Sequence, residues 1–477
     1  MRRRLATVTA ALAAVAALAA GCGGDENTAS TPLDDALGYL PRDATSVVVI
    51  ETDPNHAQWK QVDELISKFQ IAGQIRQQGK DRVARGQLDF DRDLRPQLGN
   101  EIVLGRPAAK PKHARVLAVK LQDPDRARRD LLPKLKGAGL GASRIDDGML
   151  VAAGTPQLLD AAIKQHDEDD RLTEDDLEDD LGRLAEGEPL LRATGDLKRG
   201  LEQSEAGAAI RAIPWPGALD TFAAVGRAEP NGLEIDFDVR TQGVDAADLP
   251  FAPGPESPPV PEREGEIAVA AREPARSLGL VNRLKDVLPR TAHHARVLNP
   301  ALQRIGVDIQ RDLVGQIGAV GAASFPLDGS YVARADLKDP ERFAASLKTL
   351  SDRLAGAVHG DPGFTIEPGG GEGFYRLNAD RGRQLFVGVV GNQVALGEEA
   401  GRARDFAAEK SSPVQGARGS VAFAADGQSV ANALIERRAS GPLALLGQVL
   451  TEPIGDLRGW METTPTGISG HAELDVE

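Results

Sequence analysis

A single cysteine, Cys22, stands in 477 residues. An internal disulfide is therefore excluded, and the folded part must be held by burial alone. Aromatic residues are scarce, at 4 % of the chain, so its cores are built from Leu, Val, Ile and Ala. Basic residues are in deficit, 56 against 71 acidic ones. That balance excludes a nucleic-acid partner, whose binding surface needs clustered Lys and Arg. It also excludes electrostatic adsorption to an anionic membrane. Beyond the first residues no apolar run reaches spanning length, and the longest weakly polar stretch, Ile317 to Phe325, is interrupted by glycine. Histidines are few and scattered, at 56, 113, 166, 293, 294, 359 and 471. No Gly-x-Ser-x-Gly elbow occurs. The expectation is a protein that is not an enzyme, with no catalytic residue, no cofactor and no metal.

What is present begins with the leader. Arg2, Arg3 and Arg4 precede an uncharged, alanine-rich stretch from Leu5 to Leu18, and Ala19-Ala20-Gly21-Cys22 follows. Small residues before a cysteine read as a lipoprotein processing site, with the thiol as the atom that takes the lipid. An ordinary signal peptide with a chance cysteine is the alternative, and Ala19 stands where such sites usually carry leucine. An uncleaved anchor would need ~20 apolar residues, and this run is shorter and ends in Gly-Gly-Asp. The reading is a cleaved leader over 1–21, lipidation (palmitate and diacylglycerol) at Cys22, and a polar tether within 22–33. The mature chain would carry 53 basic and 71 acidic residues, a formal charge of −18, so acyl chains must do the anchoring. The expected location is the outer face of the cytoplasmic membrane, within the cell envelope.

The remaining chain repeats itself. Asp93-Leu94-Arg95-Pro96-Gln97-Leu98-Gly99 matches Asp312-Leu313-Val314-Gly315-Gln316-Ile317-Gly318. Leu121-Gln122-Asp123-Pro124-Asp125-Arg126 matches Leu337-Lys338-Asp339-Pro340-Glu341-Arg342, each with Asp as N-cap and Pro at the first helical position. A hairpin with the turn Asp147-Gly148 corresponds to one with Gly391-Asn392. Pro230-Asn231-Gly232-Leu233 corresponds to Pro465-Thr466-Gly467-Ile468, each leading into a closing strand. Before these come two further pairs. Strand Ser46 to Glu51 precedes a helix capped at Asp53-Pro54, with Trp59, Val62, Leu65, Ile66 and Phe69 at helical spacing. Strand Glu266 to Arg272 precedes a helix opened by Glu273-Pro274, with Leu278, Val281 and Leu284. The expected fold is α+β: two tandem copies, over 34–245 and 265–477, of a mainly antiparallel sheet with helices on one face. Between them, 246–264 holds prolines at 250, 253, 255, 258, 259 and 261 and reads as a linker or surface strap.

Leu40-Pro41-Arg42-Asp43-Ala44, followed by the valine-rich strand from Ser46, resembles the opening of a bacterial family known only as domain of unknown function 3352. The resemblance implies an exported or membrane-attached protein with this fold from about Leu33 onward. It supplies no site residue, because the family has no established activity.

Other constellations read as structure. Asp167 to Asp180 holds ten carboxylates in fourteen residues, without the glycine bend of a calcium loop, and is expected to be solvated. His293-His294 point apart on any regular element. Gly137-Ala138-Gly139-Leu140-Gly141-Ala142 follows a helix and precedes a strand, the reverse of a dinucleotide loop. Gly369-Gly370-Gly371-Glu372-Gly373 lacks the Lys-Ser/Thr of a nucleotide cradle. Trp215 and Trp460 are packing residues or exposed anchors. A non-catalytic binding module for an unidentified protein, or a carrier of a lipid or other apolar ligand, remains as the expectation.

Overall fold

Two short turns show how local sequence sets the architecture. The Asp89 side chain accepts from Arg92 N (2.9 Å), while Asp93 Oδ2 accepts from Asp89 N (2.8 Å). The same reciprocal pair recurs downstream, Asp308 with Arg311 N at 3.0 Å and Asp312 with Asp308 N at 3.0 Å. Both turns run on through one 3₁₀ turn, Arg95–Gln97 or Val314–Gln316, with a buried glutamine. Each leads into a strand at the same position relative to its neighbours.

The computed structural model describes residues 31–70, 72–85, 88–108, 114–135, 141–204, 207–262, 265–287, 308–326, 330–357, 364–379, 384–438 and 451–477. The leader, Cys22, His293-His294 and most of the Gly137–Ala142 run lie outside these residues. Among them, no helix is long and apolar enough to cross a membrane.

The strands of the N-terminal half are β1 (Ser46–Ile50), β2 (Ile102–Arg106), β3 (Val116–Lys120), β4 (Ala142–Asp146), β5 (Met149–Ala153), β6 (Leu191–Asp196), β7 (Leu219–Glu229) and β8 (Gly232–Thr241). After the two-residue β9 (Val260–Pro261) come β10 (Glu266–Arg272), β11 (Ile317–Pro326), β12 (Val332–Leu337), β13 (Phe364–Pro368) and β14 (Phe374–Ala379). β15 (Gln384–Val390), β16 (Gln393–Gly397), the two-residue β17 (Ser411–Ser412), β18 (Val421–Asp426), β19 (Ile454–Thr464) and β20 (Gly467–Val476) complete the chain. Eighteen of them form one continuous sheet in which every pairing is antiparallel. From one edge the order is β4-β5-β3-β2-β1-β6-β7-β8. It continues β20-β19-β18-β10-β11-β12-β16-β15-β14-β13. Read outward from the β8–β20 junction, the first eight strands of each half occur in the same order of connection. The β13–β14 hairpin has no counterpart in the first half.

Helices cover both faces, not one. On one face Val47, Val49, Val103, Val116, Ala118 and Val151 pack under Leu33, Leu37, Leu158, Leu159, Leu177 and Leu181. On the other, Val119 and Leu150 pack under Ala127, Leu131 and Leu135. The reason is legible in β5, Met-Leu-Val-Ala-Ala, which is buried at all five positions and so demands cover above and below. In the second half the helix Pro340–Ala357 occupies the second face through Phe343 and Leu347, and the helix Ala400–Ala408 the first through Ala403 and Phe406. Buried Arg334 donates to the carbonyls of Phe406 (2.7 Å) and Glu409 (2.6 Å), closing the end of that second helix.

Three local expectations change. The helix expected from Asp53-Pro54 begins at Ala57 with His56 as its cap, because Asp53 Oδ1 accepts from Asn55 N (2.8 Å) and closes a turn first. In the helix Pro274–Val287, Leu278 and Val281 are exposed, whereas Leu280 is buried. Ser277 Oγ donates to Pro250 O (2.5 Å), so the proline-rich strap holds the Ser277–Leu280 face inward. That strap is partly buried, at Leu249, Ala252 and Val260, and β9 pairs with β17.

Candidate functional site

At the β8–β20 junction the alternation of the strands changes character. Glu234, Asp236 and Asp238 of β8 lie opposite Glu473, His471 and Ser469 of β20, and these in turn lie opposite Arg458, Trp460 and Glu462 of β19. Directly paired residues share a face. A polar floor therefore runs between two apolar covers, the helix Glu174–Leu181 with its 3₁₀ extension Gly182–Ala185 on one side and the segment 413–418 on the other.

Arginines fasten the walls to the floor. Arg227 of β7 bonds Asp236 Oδ2 (3.1 Å) and donates to the carbonyls of Leu184 (3.0 Å) and Glu186 (2.7 Å). Arg183 reaches Asp238 (3.1 Å). On the far side the Arg418 guanidinium lies 4.4 Å from the Trp460 ring centroid, within cation–π range. Arg458 grips Glu473 through two 3.0 Å bonds and holds Asp475 at 3.2 Å. That grip pulls the Glu473 carboxyl below the ordinary glutamate value, while burial raises that of Asp475.

At the centre His471 Nδ1 lies 2.9 Å from Asp236 Oδ1, and its ring stacks on Trp460 at 6.2 Å. Glu234 completes a group whose potential ligand atoms all lie within 4.8 Å of one another. Burial, then Glu229, raises the Glu234 carboxyl above the ordinary value, with Glu473 and Asp236 adding to the effect. Asp236 and His471 are also the residues that the Pro230 and Pro465 hairpin matches place in register. Beside the floor a cavity of about 370 Å³ is lined by Glu262, Asp426, Asp456 and Arg458, among others.

Of the residues singled out in the sequence, Trp460 belongs to this floor. Trp215 lies apart from it in the turn Pro214–Gly217, half-buried, its indole N–H without a partner among the described residues. Gly369 to Gly373 connect β13 and β14, with positive φ at 370, 371 and 373. The acidic run is only partly solvated. Asp176 completes a capping box with Thr173 and pairs with Arg42, and Asp180 is half-buried, its carboxyl raised chiefly by burial. Neither carboxyl keeps the ordinary value of the solvated group expected there. Burial alone would raise Asp176, but Thr173 and Arg42 outweigh it and lower its carboxyl.

The opening motif has a mechanical role. Leu40 is buried against the bare backbone of Gly105, where a Cβ would fall 2.1 Å from Leu40 Cδ1, and Arg42 ties the entry of β1 to the acidic helix. Residues 5–145 match the family described as "Protein of unknown function (DUF3352)". This is the family the motif resembles. The DUF3352 match ends within β4 and so spans the motif and the first Asp turn. No curated protein and no solved structure matches the chain.

Proposed function

We propose that this chain is an exported lipoprotein, held by acyl chains on Cys22 at the outer face of the cytoplasmic membrane, whose folded part is a non-catalytic binding module. The leader before Cys22 supports the anchoring. The observation that carries the binding role is the charged floor at the β8–β20 junction, walled by cover from both halves and centred on Asp236 and His471. We further read the module as two copies of one unit, 34–245 and 265–477, joined by the strap 246–264. The matching order of connection outward from the junction, and the two reciprocal Asp turns, support that reading.

A carrier of lipid is the second reading. It is supported by the opposite face of the same junction, where Leu233 and Ile235 are 40 % and 53 % exposed. The neighbouring cavity, where Glu262, Asp426, Asp456 and Arg458 stand among Val260, Val414 and Leu457, is compatible with both. Affinity capture from intact envelopes tests both, with proteins and lipids identified together. A protein held by the wild type and lost with Trp460→Ala supports binding at the floor. One held equally by both forms contradicts it, and lipid recovered without protein replaces it with the carrier reading.

A further inference from the structure

We propose that Glu234, Asp236 and His471 bind one divalent cation of the zinc type across the β8–β20 junction. The inference is independent of lipidation at Cys22 and of any protein partner. Its basis is the donor set: one imidazole nitrogen and two carboxylate oxygens, all within 4.8 Å of one another. Calcium and magnesium favour all-oxygen sites, whereas zinc and its neighbours accept nitrogen and carboxylate oxygen together at about 2.0–2.2 Å.

Tetrahedral ligands at those bond lengths stand about 3.3 Å apart. His471 Nδ1 and Asp236 Oδ1 are 2.9 Å apart, and the three ligand atoms, now within 4.8 Å of one another, would draw together around the ion. The two oxygens of Asp236 divide their tasks. Oδ1 faces the histidine, and Oδ2 is held by Arg227 at 3.1 Å, which fixes the carboxylate as an outer partner fixes a metal ligand. Trp460 stacks on the imidazole and restrains its rotation. The Glu234 side chain, half-buried, has no hydrogen bond or ion pair among the described residues; His471 favours its charged form, while Glu229, Glu473 and Asp236 oppose it. The two carboxylates bring negative charge that a divalent cation offsets, beside the share that Arg227 already takes from Asp236. Because β8 and β20 belong to different halves of the chain, the bound ion would also cross-link the junction.

The test is calorimetric titration of zinc chloride into the full chain, beside the Glu234→Gln and His471→Ala variants. The expected result is one saturable site, weakened at least about tenfold in each variant, with zinc raising the melting temperature of the wild type alone. The Glu234 side chain has no hydrogen bond or ion pair among the described residues, so its variant tests ligation without loss of such a bond. Nickel-induced quenching of Trp460 fluorescence, lost in Glu234→Gln, is an independent readout. No saturable binding, or binding unchanged in both variants, overturns the proposal and leaves the trio an ion-pair network only. Calcium binding as tightly as zinc overturns the assigned metal class.

Discussion

Asp312 shows how much one carboxylate does at the residue scale. It is buried, accepts from Asp308 N and pairs with Arg311 and Arg342. The Arg311 guanidinium, then the Asp308 N–H, hold its carboxyl well below the ordinary range. A depressed folded pKa contributes stability that is full above the unfolded value, about 3.9, and is lost as pH falls through the folded one. Asp312→Asn should therefore lower the unfolding free energy by about 1–3 kcal/mol at pH 7. In urea titrations at a series of pH values, the gap to wild type should narrow below about pH 4. A gap independent of pH would show that the charge is not what matters. Asp93 and Asp312 stood out in the sequence only as matching positions of the repeat. Asp123 and Asp339 were legible as caps because capping acts over three residues, within reach of sequence spacing. His471 and Asp236 were not, because 235 positions separate them and only strand register brings them together.

At the scale of elements, hairpins were the clearest feature. Asp147-Gly148 has positive φ at both positions (41° and 77°), so turn and flanking strands are set by adjacent residues. The acidic helix Glu174–Leu181 is started by Thr173, which accepts from Asp176 N. Thr173→Ala should cost about 0.5–2 kcal/mol in chemical denaturation, and no change would mean the cap is redundant. The β8–β20 ladder had no comparable signal, because alternation states which face a residue takes and not which strand lies beside it. The same limit explains the helix Pro274–Val287, where period alone favoured Leu278 and Val281 but the strap contact at Ser277 selected Leu280. β8 is paired on both sides, so Ile235→Pro removes a ladder bond and should cost at least about 1–3 kcal/mol. Its thermal unfolding should separate into two transitions where the wild type shows one. A single, unshifted transition would show that the ladder does not couple the halves.

At the scale of the whole molecule, one antiparallel sheet of eighteen strands runs through both halves of the chain. Its outer strands end the ladder with polar and breaking residues, Arg144 and Asp146 on β4, Glu367 and Pro368 on β13, which discourage edge pairing between copies. We propose that a lipid on the Cys22 thiol tethers this sheet outside the cytoplasmic membrane. Membrane fractionation of cells expressing wild type and Cys22→Ser, washed at high salt, tests that claim most directly. The account predicts wild type in the membrane pellet and the variant in the soluble or medium fraction. A Cys22→Ser protein retained in the pellet as fully as wild type would contradict it.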